Sequence, residues 1–445
     1  MKKSISIIVL LITMMIKTHA ISLSIKEAYD IALLNNDSLK SASIGVQKAN
    51  KLSQATKMIY LPQIDIMANY DYINNPVKLN IPLLNPINLS TNNIVFGILN
   101  ITYPIFTGGK RIYANKIADL NIIDSNYTLN MKELNLFEEL VKSYYGLLLN
   151  IEILQALINA ENNNKEHLEN AIKLEEQGQI ARIEKLEIQV EYDKSKSKVI
   201  NARNSLDLAL LAFKNTLQDS NINNDVKINN NYIENLELKS KLEISNKELE
   251  SLDSIKDKVI SSYPMLKSIE NKKEQAKELT KMEMANFMPT IAAYGGYVMK
   301  DNNVVINKMI PEWYVGVTAK WSLLNPSGRI FKYQASKLAQ NEIEYSLSQA
   351  RKDILLLTEQ TYKEAISTKN AIENLNSSLE LAKENLKLQE ESFANGLSNI
   401  SKVNDARNIL LGATIEIKNA QYRYILALSR LCVLSNDINM FYSYW

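Results

Sequence analysis

The sequence is poor in the residues on which most catalytic and metal sites depend. Its 445 residues include one cysteine, Cys432, and two histidines, of which only His167 lies beyond residue 20. This shortage excludes an intramolecular disulfide and a zinc site of histidines and cysteines, and it argues against Ser-His-Asp or Cys-His catalysis. No glycine-rich phosphate loop is present. We therefore predict no enzymatic activity and no cofactor, and interpret His167 as a solvated residue on a helix surface.

Residues 1–20 have the pattern of a secretory signal peptide. Lys2 and Lys3 precede an apolar run, and a small residue, Ala20, stands before the expected cleavage point. Removing this segment leaves 48 of the 51 basic residues against 49 acidic ones, a net charge of about −1. The sequence therefore predicts an exported chain that begins near Ile21, and its balanced charge gives no reason to expect a nucleic-acid partner.

Beyond the signal, the sequence lacks any apolar run of the ~18 residues that a membrane-spanning helix needs. A chain that spans a membrane must then use strands. Apolar and polar residues alternate in four segments, at about 62–74, 93–106, 290–299 and 312–322. Each has at least about ten residues, enough for a tilted strand to cross a bilayer. A soluble sheet with one covered face is the alternative.

Four membrane strands are too few to close a barrel. Open strand edges are not tolerated in lipid, so strands from several chains must share one barrel if these segments lie in a membrane. Tyr103, Trp313 and Trp321 lie near strand ends, where aromatic belts meet the membrane interface. The pattern thus predicts an oligomer.

The chain consists of two similar halves, residues 21–217 and 251–434. Aligned pairs follow one another in order: Tyr60 with Phe287, Arg111 with Arg329, Tyr144 with Tyr362, and Gly178 with Gly396. Each half predicts a helix, two strands and a long helical hairpin. In the first half the helix is predicted over residues 24–60 and ends before Pro62. An asparagine-rich linker, residues 218–250, separates them and is expected to have weak structure. Residues 435–445 form a C-terminal tail.

Both halves contain a helical tract of unusual length. Residues 112–177 contain no proline and one glycine, Gly146, while residues 330–395 contain neither. At about 1.5 Å per residue each tract would be roughly 100 Å long, which requires coiled-coil partners. Heptad spacing supports this, as in Ile372, Leu375, Leu379, Ala382 and Leu386. Gly178 and Gly396 end the tracts, which predicts hairpin tips there.

A short turn joins the second strand of each half to its long helix. The stretch YPIFTGGKRI supplies it in the first half and WSLLNPSGRI in the second. Glycine and proline interrupt regular structure, so these stretches predict strand-to-helix turns. Their residues of interest are Gly108, Gly109 and Arg111 in the first half, and Pro326, Gly328 and Arg329 in the second.

These features together resemble the TolC-type outer-membrane efflux family. The resemblance rests on the ordered duplication, the two turn motifs, SYPMLKS at the start of the second half, and NGLSNISKVNDA with its counterpart GQIARIEKLEIQV. It covers roughly residues 23–434. In NNDSLKS, Asp37 stands where the family usually has proline.

The resemblance implies a mainly α-helical protein with a small transmembrane β part. Three chains would form one twelve-stranded barrel in the outer membrane of a Gram-negative bacterium, continued by a helical tunnel in the periplasm. The trimer would be a passive exit duct for drugs, solutes or type I secreted proteins. Its partners would be outer-membrane lipids, a periplasmic adaptor and an inner-membrane pump, and no cofactor is implied.

The resemblance also implies two sites near the hairpin tips. Gln179, Leu397 and Ser398, beside the tip glycines, would dock the adaptor. The family commonly narrows the entrance with acidic residues just after the second tip, where this chain has Asp405 and, one turn earlier, Lys402. We expect Lys402 to offset Asp405 and to latch the gate to Asp405 or to first-half acids such as Glu184 and Glu187.

Two other classes of protein share part of this pattern. A periplasmic coiled-coil adaptor or a structural envelope protein would also have an export signal and helical hairpins, but the duplication argues against an adaptor with a single hairpin. An envelope hydrolase would need a convergent acid, base or nucleophile, and the shortage of histidine and cysteine argues against it.

Overall fold

The computed structural model describes residues 21–80, 82, 86–229, 232–245, 247–300, 308–324 and 326–444. The predicted signal peptide, residues 1–20, lies outside them. The chain divides into two compact units. One contains residues 21–42, 129–264 and 351–444 of the described chain, and the other contains residues 43–128 and 265–350.

The first half carries most of its residues in four helices. Its elements are β1 (Ile21–Leu23), α1 (Ile25–Asn35), α2 (Asp37–Lys57), β2 (Gln63–Tyr72), β3 (Lys78–Leu79), β4 (Ile87–Asn88), β5 (Asn93–Phe106), α3 (Lys110–Glu176) and α4 (Arg182–Leu217). The linker adds α5 (Ser220–Asp225), β6 (Lys227–Asn229), β7 (Tyr232–Glu234) and β8 (Leu236–Leu238). The asparagine-rich linker is therefore more regular than its composition predicts.

The second half repeats the arrangement. Its elements are α6 (Leu252–Ser262), α7 (Pro264–Met284), β9 (Thr290–Lys300), β10 (Trp313–Lys320), α8 (Arg329–Ala394), α9 (Ile400–Leu434) and α10 (Ile438–Tyr442). The prediction of a mainly helical fold with duplicated long helices and four long strands is confirmed. No described helix combines the length and the apolar character that a membrane crossing needs.

The four long strands form one antiparallel sheet in the order β10-β9-β5-β2. In β2, Ile64 pairs with Ile101 and Ile66 with Leu99 of β5. In the second hairpin, Val315 pairs with Gly295. Ile101 in turn pairs with Gly295 of β9. Side chains alternate between the faces of a sheet, so these pairs place Ile64, Ile66, Leu99, Ile101 and Val315 on one face.

The other unit has an aromatic core. Phe137 and Tyr144 of α3 are fully buried. Phe137 packs edge-on against Phe441 of α10, with ring centroids 5.3 Å apart. The hydroxyl of Tyr144 donates to the carbonyl of Leu23 in β1 at 2.8 Å. β1 pairs in parallel with β8, so this core holds the start, the linker and the C-terminal tail of the described chain together.

The helix predicted from Ser24 to Tyr60 is broken at Asn36. That residue is extended (ψ 118°), and its side-chain oxygen accepts a hydrogen bond from the Leu39 amide at 3.1 Å. Asn36 thereby caps the start of α2. The second half breaks at the aligned residue, Tyr263, with ψ 120°. There Pro264 opens the next helix, the first-turn position that proline favours.

Candidate functional site

The first hairpin tip is a tight turn around Gly178. The Gly178 amide donates to the Glu175 carbonyl at 2.9 Å, and the Gln179 amide donates to the Leu174 carbonyl at 2.8 Å. These two bonds, with Gly178 at φ +72°, form a Schellman motif. Gln179 is exposed just beyond it, and α4 begins at Arg182.

The second tip repeats this geometry around Gly396, at φ +73°. The Gly396 and Leu397 amides donate to carbonyls three and five residues earlier, at 2.9 and 2.8 Å. Leu397 is 81% exposed. Ser398 is half-buried and donates to Gln389 Oε1 at 3.1 Å. Both predicted sets of tip residues therefore lie on exposed turns of matching geometry.

The predicted gate residues lie in the first two turns of the helices that follow the tips. Lys402 and Asp405 are exposed on α9, and Asn399 caps that helix by accepting from the Lys402 amide at 3.1 Å. On α4, Glu184 is half-buried and Glu187 is exposed. Within the described part of a single chain, Lys402 has no ion pair within 4.0 Å, whether with Asp405 or with the α4 acids. The predicted latch is thus not formed inside one chain.

A cluster that the sequence analysis missed links the two hairpins near their tips. Arg407 of α9 is only 14% exposed, and its Nη2 lies 2.6 Å from Glu390 Oε1 of α8. The same nitrogen contacts Nε2 of His167 on α3. An arginine can only donate, so this histidine nitrogen accepts and the ring is neutral.

The interpretation of His167 as a solvated surface residue is wrong. Its ring is half-buried, and burial, followed by the Arg407 charge, lowers its pKa below the ordinary 6.5. Because the folded-state pKa lies below the unfolded value, protonation of His167 favours the unfolded chain. The contribution of His167 to folding stability is therefore complete above about pH 6.5 and is lost as the pH falls below it. The only sequence signal was that Arg407 lies beside the heptad seam of Val403 and Leu410.

The first strand-to-helix turn contains two glycines in the left-handed region, Gly108 at φ +67° and Gly109 at φ +91°. Arg111 lies beyond them, in the first turn of α3. Its guanidinium lies 4.9 Å from the ring centroid of Tyr60, and its Nη2 donates to the Ile105 carbonyl at 3.0 Å. The arginine therefore fastens the strand end to the helix start and to the segment before the first strand.

The second turn uses Arg329 in the same way. Its guanidinium lies 4.8 Å from the centroid of Phe287, which aligns with Tyr60. It donates to the carbonyls of Ser322 and Leu323 at 2.6 and 2.7 Å. Gly328 has φ +70°, and Pro326 is exposed. Arg111 and Arg329 thus hold the strand-to-helix turn in the same way in the two halves.

The face of the sheet opposite Ile64 and Val315 carries two tyrosines, and the ring of each packs on a glycine of the neighbouring strand. A Cβ on Gly296 would lie 2.5 Å from the ring of Tyr314, and a Cβ on Gly316 would lie 2.7 Å from that of Tyr294. The Tyr314 hydroxyl donates to Asn100 Oδ1 at 2.7 Å. The glycines therefore let both rings lie close to the sheet. Within the described ranges, no group of three or more histidine, cysteine, aspartate or glutamate side chains is placed to hold a metal.

The fold, with duplicated long helical hairpins and one four-stranded sheet, is that of TolC-type outer-membrane channels. The CmeC channel of Campylobacter jejuni superposes with a TM-score of 0.74 at 18% identity, over 93% of this chain and 85% of that one. VceC of Vibrio cholerae gives 0.76 at 13% identity, over 93% and 96%. MtrE of Neisseria gonorrhoeae, in an open state, gives 0.74 at 16% identity, over 93% and 89%.

The sequence itself identifies the family. Residues 28–217 and 257–436 match the model of the outer membrane efflux protein family, and the chain belongs to that family. None of the curated proteins matches it. The chain is accordingly an outer-membrane efflux channel, a passive exit duct with a large periplasmic part.

Proposed function

We propose that three copies of the chain close one barrel in the outer membrane, and that a periplasmic adaptor carrying an inner-membrane pump docks at the hairpin tips. The observation that supports this most is the four-stranded sheet, in which β10 and β2 each have a neighbour on one side only among the described strands. An open strand edge is not tolerated in lipid. Pairing β10 of one copy with β2 of the next gives every strand a hydrogen-bonded neighbour on both sides, and three copies give twelve strands. The channel conducts passively and catalyses no reaction.

The apolar face of the sheet supports lipid as a second partner. Ile66 is 74% exposed and Val315 is 77% exposed in the single chain. A soluble monomer rarely exposes a continuous apolar face of this kind. The opposite face carries Asp65, Asn100 and Tyr314, which suit a water-filled interior.

The assembly itself gives the first test. Extracted in detergent, the full chain is expected to have the mass of a trimer in light scattering corrected for bound detergent. The same sample, denatured by heat in dodecyl sulfate, calibrates the mass of one chain. A folded monomer as the main species would contradict the shared barrel.

Adaptor docking is tested at Leu397. Its side chain offers exposed apolar surface at the tip, and burying that surface against a partner would favour docking. We expect Leu397→Asp to reduce efflux at least about tenfold, because burying an unpaired charge in the interface opposes docking. Drug accumulation in cells that depend on this channel measures the effect.

The matched control for docking is Ser378→Asp, which adds the same charge at an exposed position of α8 away from the tip and from Lys402. It should leave efflux and trimer yield unchanged. Bulky residues at Gly178 and Gly396 are expected to abolish efflux as well, through distortion of turns that need positive φ. Full efflux by Leu397→Asp with normal trimer yield would rule out docking at this tip.

The gate is proposed to lie at Lys402 and Asp405. Three copies of Asp405 would meet at the narrow entrance, where low dielectric strengthens their field. Lys402, one turn away and with no ion pair among the described residues, would offset that field or pair with an acid of a neighbouring copy.

Single-channel recording in planar bilayers tests the gate. Lys402→Asp should strengthen block by multivalent cations, since it adds an acidic ring, and Asp405→Ala should relieve it. Lys383→Asp serves as the control, because Lys383 is exposed on α8 and already pairs with Glu380 on its own helix at 2.7 Å. Unchanged block and conductance in both gate variants would remove these residues from the gate.

A further inference from the structure

A cleft of about 370 Å³ lies beside the second strand-to-helix turn. Its walls come from the end of α7 and the segment after it, the facing ends of β9 and β10, the start of α8, and Thr107 and Lys110 of the first turn. We call it the junction cleft. All its lining residues belong to one compact unit of the chain.

Positive charge predominates in the junction cleft. Its described lining contains Lys110, Lys320, Lys332 and Arg329 against a single carboxylate, Glu283, so four cations face one anion. The lysines are exposed, and a ligand can therefore reach their ammonium groups from solvent. None of the four cations has a carboxylate oxygen within 4.0 Å among the described residues. The cleft thus has an excess of positive charge that no close ion pair offsets.

The arginine and the glutamate of the cleft are held by neutral partners. The guanidinium of Arg329 donates to the carbonyls of Ser322 and Leu323, and the Glu283 carboxylate accepts from Asn286 Nδ2 at 2.9 Å. Hydrogen bonds to neutral groups fix these side chains without cancelling their charges. The cleft therefore combines one fixed positive group with lysines on flexible stems.

The duplication of the chain shows that the turn does not require the lysines. The arginine of the turn is present in both halves and contacts an aromatic ring in each. At the same alignment, Lys320 corresponds to Thr102 and Lys332 corresponds to Ala114. The first turn forms without these two positive charges, so the fold of the turn does not account for them.

The position of the cleft favours a ligand dissolved in water. Lys320 pairs with Thr290 at the end of the ladder between β10 and β9, and alternation along β10 places Lys320 on the same face as Tyr314. That face is opposite the apolar one, which carries Val315. With the sheet placed as proposed above, an anion inside the duct reaches the cleft, whereas lipid chains lie on the other face. The choice of a soluble source rests on that placement.

We propose that the junction cleft binds a multivalent phosphate anion, free or as part of a soluble organic phosphate, with its oxygens on Lys110, Lys320 and Lys332. Electrostatic attraction grows with the product of the charges, so several positive groups favour a multivalent anion over a monovalent one. Lysine ammonium groups are established ligands of phosphate. The site is contained in one chain, and binding to it does not require the proposed trimer, docking or gate.

Calorimetric titration of the full-length protein in a neutral detergent tests the proposal. The probe is tripolyphosphate, and acetate at equal ionic strength is the monovalent control. Tripolyphosphate should bind saturably, with one site per chain, and at least about tenfold more tightly than acetate. Raising the salt concentration from about 50 to about 200 mM should weaken its binding, because salt screens exposed charges.

The double variant Lys320→Thr with Lys332→Ala gives the second turn the residues of the first. It should weaken tripolyphosphate binding at least about tenfold. Glu283→Gln should strengthen binding about threefold or more, because it removes the only carboxylate of the described lining, and misfolding cannot produce such a gain.

The matched control is the double variant Lys48→Thr with Lys51→Ala. It removes two exposed lysines from α2, which does not line the cleft, and should leave tripolyphosphate affinity unchanged. Unchanged affinity in the Lys320 and Lys332 double variant, equal binding of tripolyphosphate and acetate, or no saturable binding would each overturn the proposed site.

Phospholipid retained after purification separates the two sources of phosphate. Mass spectrometry should find the same amount of phosphatidylglycerol with the wild type and with the Lys320 and Lys332 double variant. A loss of phosphatidylglycerol confined to that variant would assign the cleft to a lipid headgroup and would overturn the soluble source.

Discussion

Gly108→Ala is expected to destabilise the protein far more than Gly328→Ala, although the two glycines occupy equivalent turns. Both have a positive φ, +67° and +70°. An alanine in this conformation costs about 1–2 kcal/mol in either turn. At Gly108 the new Cβ would also lie 2.6 Å from the Ala285 carbonyl oxygen and 2.8 Å from Met288 Cβ, whereas nothing lies within 4 Å of it at Gly328.

The clash at Gly108 is with backbone, so it cannot be relieved by a rotamer change. We expect it to add about 1–3 kcal/mol to the destabilisation, the range typical of overpacking. The apparent midpoint of thermal unfolding, measured by circular dichroism at one scan rate, should fall in the order wild type, Gly328→Ala, Gly108→Ala. A fixed scan rate is needed because large membrane proteins unfold irreversibly.

Gly412→Ala provides the control for the glycine series. Gly412 lies inside α9 with an ordinary φ and open space around its Cβ position. Alanine there should raise helix stability by about 0.5–1 kcal/mol. Equal losses in Gly108→Ala and Gly328→Ala would show that the contact with Ala285 does not restrain the first turn.

The sequence predicted the elements whose signal is local and periodic. Alternating residues such as Ile64 and Ile66 indicated strands, because every second side chain of a strand shares a face. The long tracts without proline indicated long helices, and Gly178 and Gly396 indicated turns because few other residues adopt positive φ readily. These signals need no knowledge of distant contacts.

The break at Asn36 was missed because its signal depends on a capping side chain. Asn36 and Asp37 both occur in helices, and nothing in their spacing marks an interruption. In the second half the same break is visible as Tyr263-Pro264, since proline disfavours a helical residue before it. Asn36 replaces that effect with a side-chain hydrogen bond to the Leu39 amide. The aligned halves pair Asn36-Asp37 with Tyr263-Pro264, so only the second half marks the break by its residue types.

The cluster of His167, Glu390 and Arg407 could not be predicted from the sequence either. These residues lie on three different helices. Histidine, glutamate and arginine are each common on exposed helix faces, so none of the three is distinctive by itself. Only the packing of the hairpins brings them together. Periodicity identifies the seam of a coiled coil, but it does not identify which flanking charges meet across it.

Phe441→Ala is expected to destabilise the protein severely, although Phe441 lies in a short C-terminal tail. Its ring is fully buried and stacks edge-on against Phe137 at 5.3 Å and Tyr145 at 6.5 Å. Truncating a buried phenylalanine typically costs about 3–5 kcal/mol. Phe441→Leu keeps most of the side-chain volume, so its free energy of unfolding should lie less than about 1.5 kcal/mol below that of the wild type.

The two tail variants are compared by thermal unfolding and by the yield of folded channel in outer-membrane fractions. Phe441→Ala should lower both strongly and Phe441→Leu only slightly, because the helix from Ile438 to Tyr442 closes the core that joins Phe137 to Tyr145. The tail would then be part of the folding core of its unit, with Met440 and Tyr444 buried beside it. Unfolding midpoints that do not differ between Phe441→Ala and the wild type would mean that α10 docks too weakly to contribute to the stability of this core.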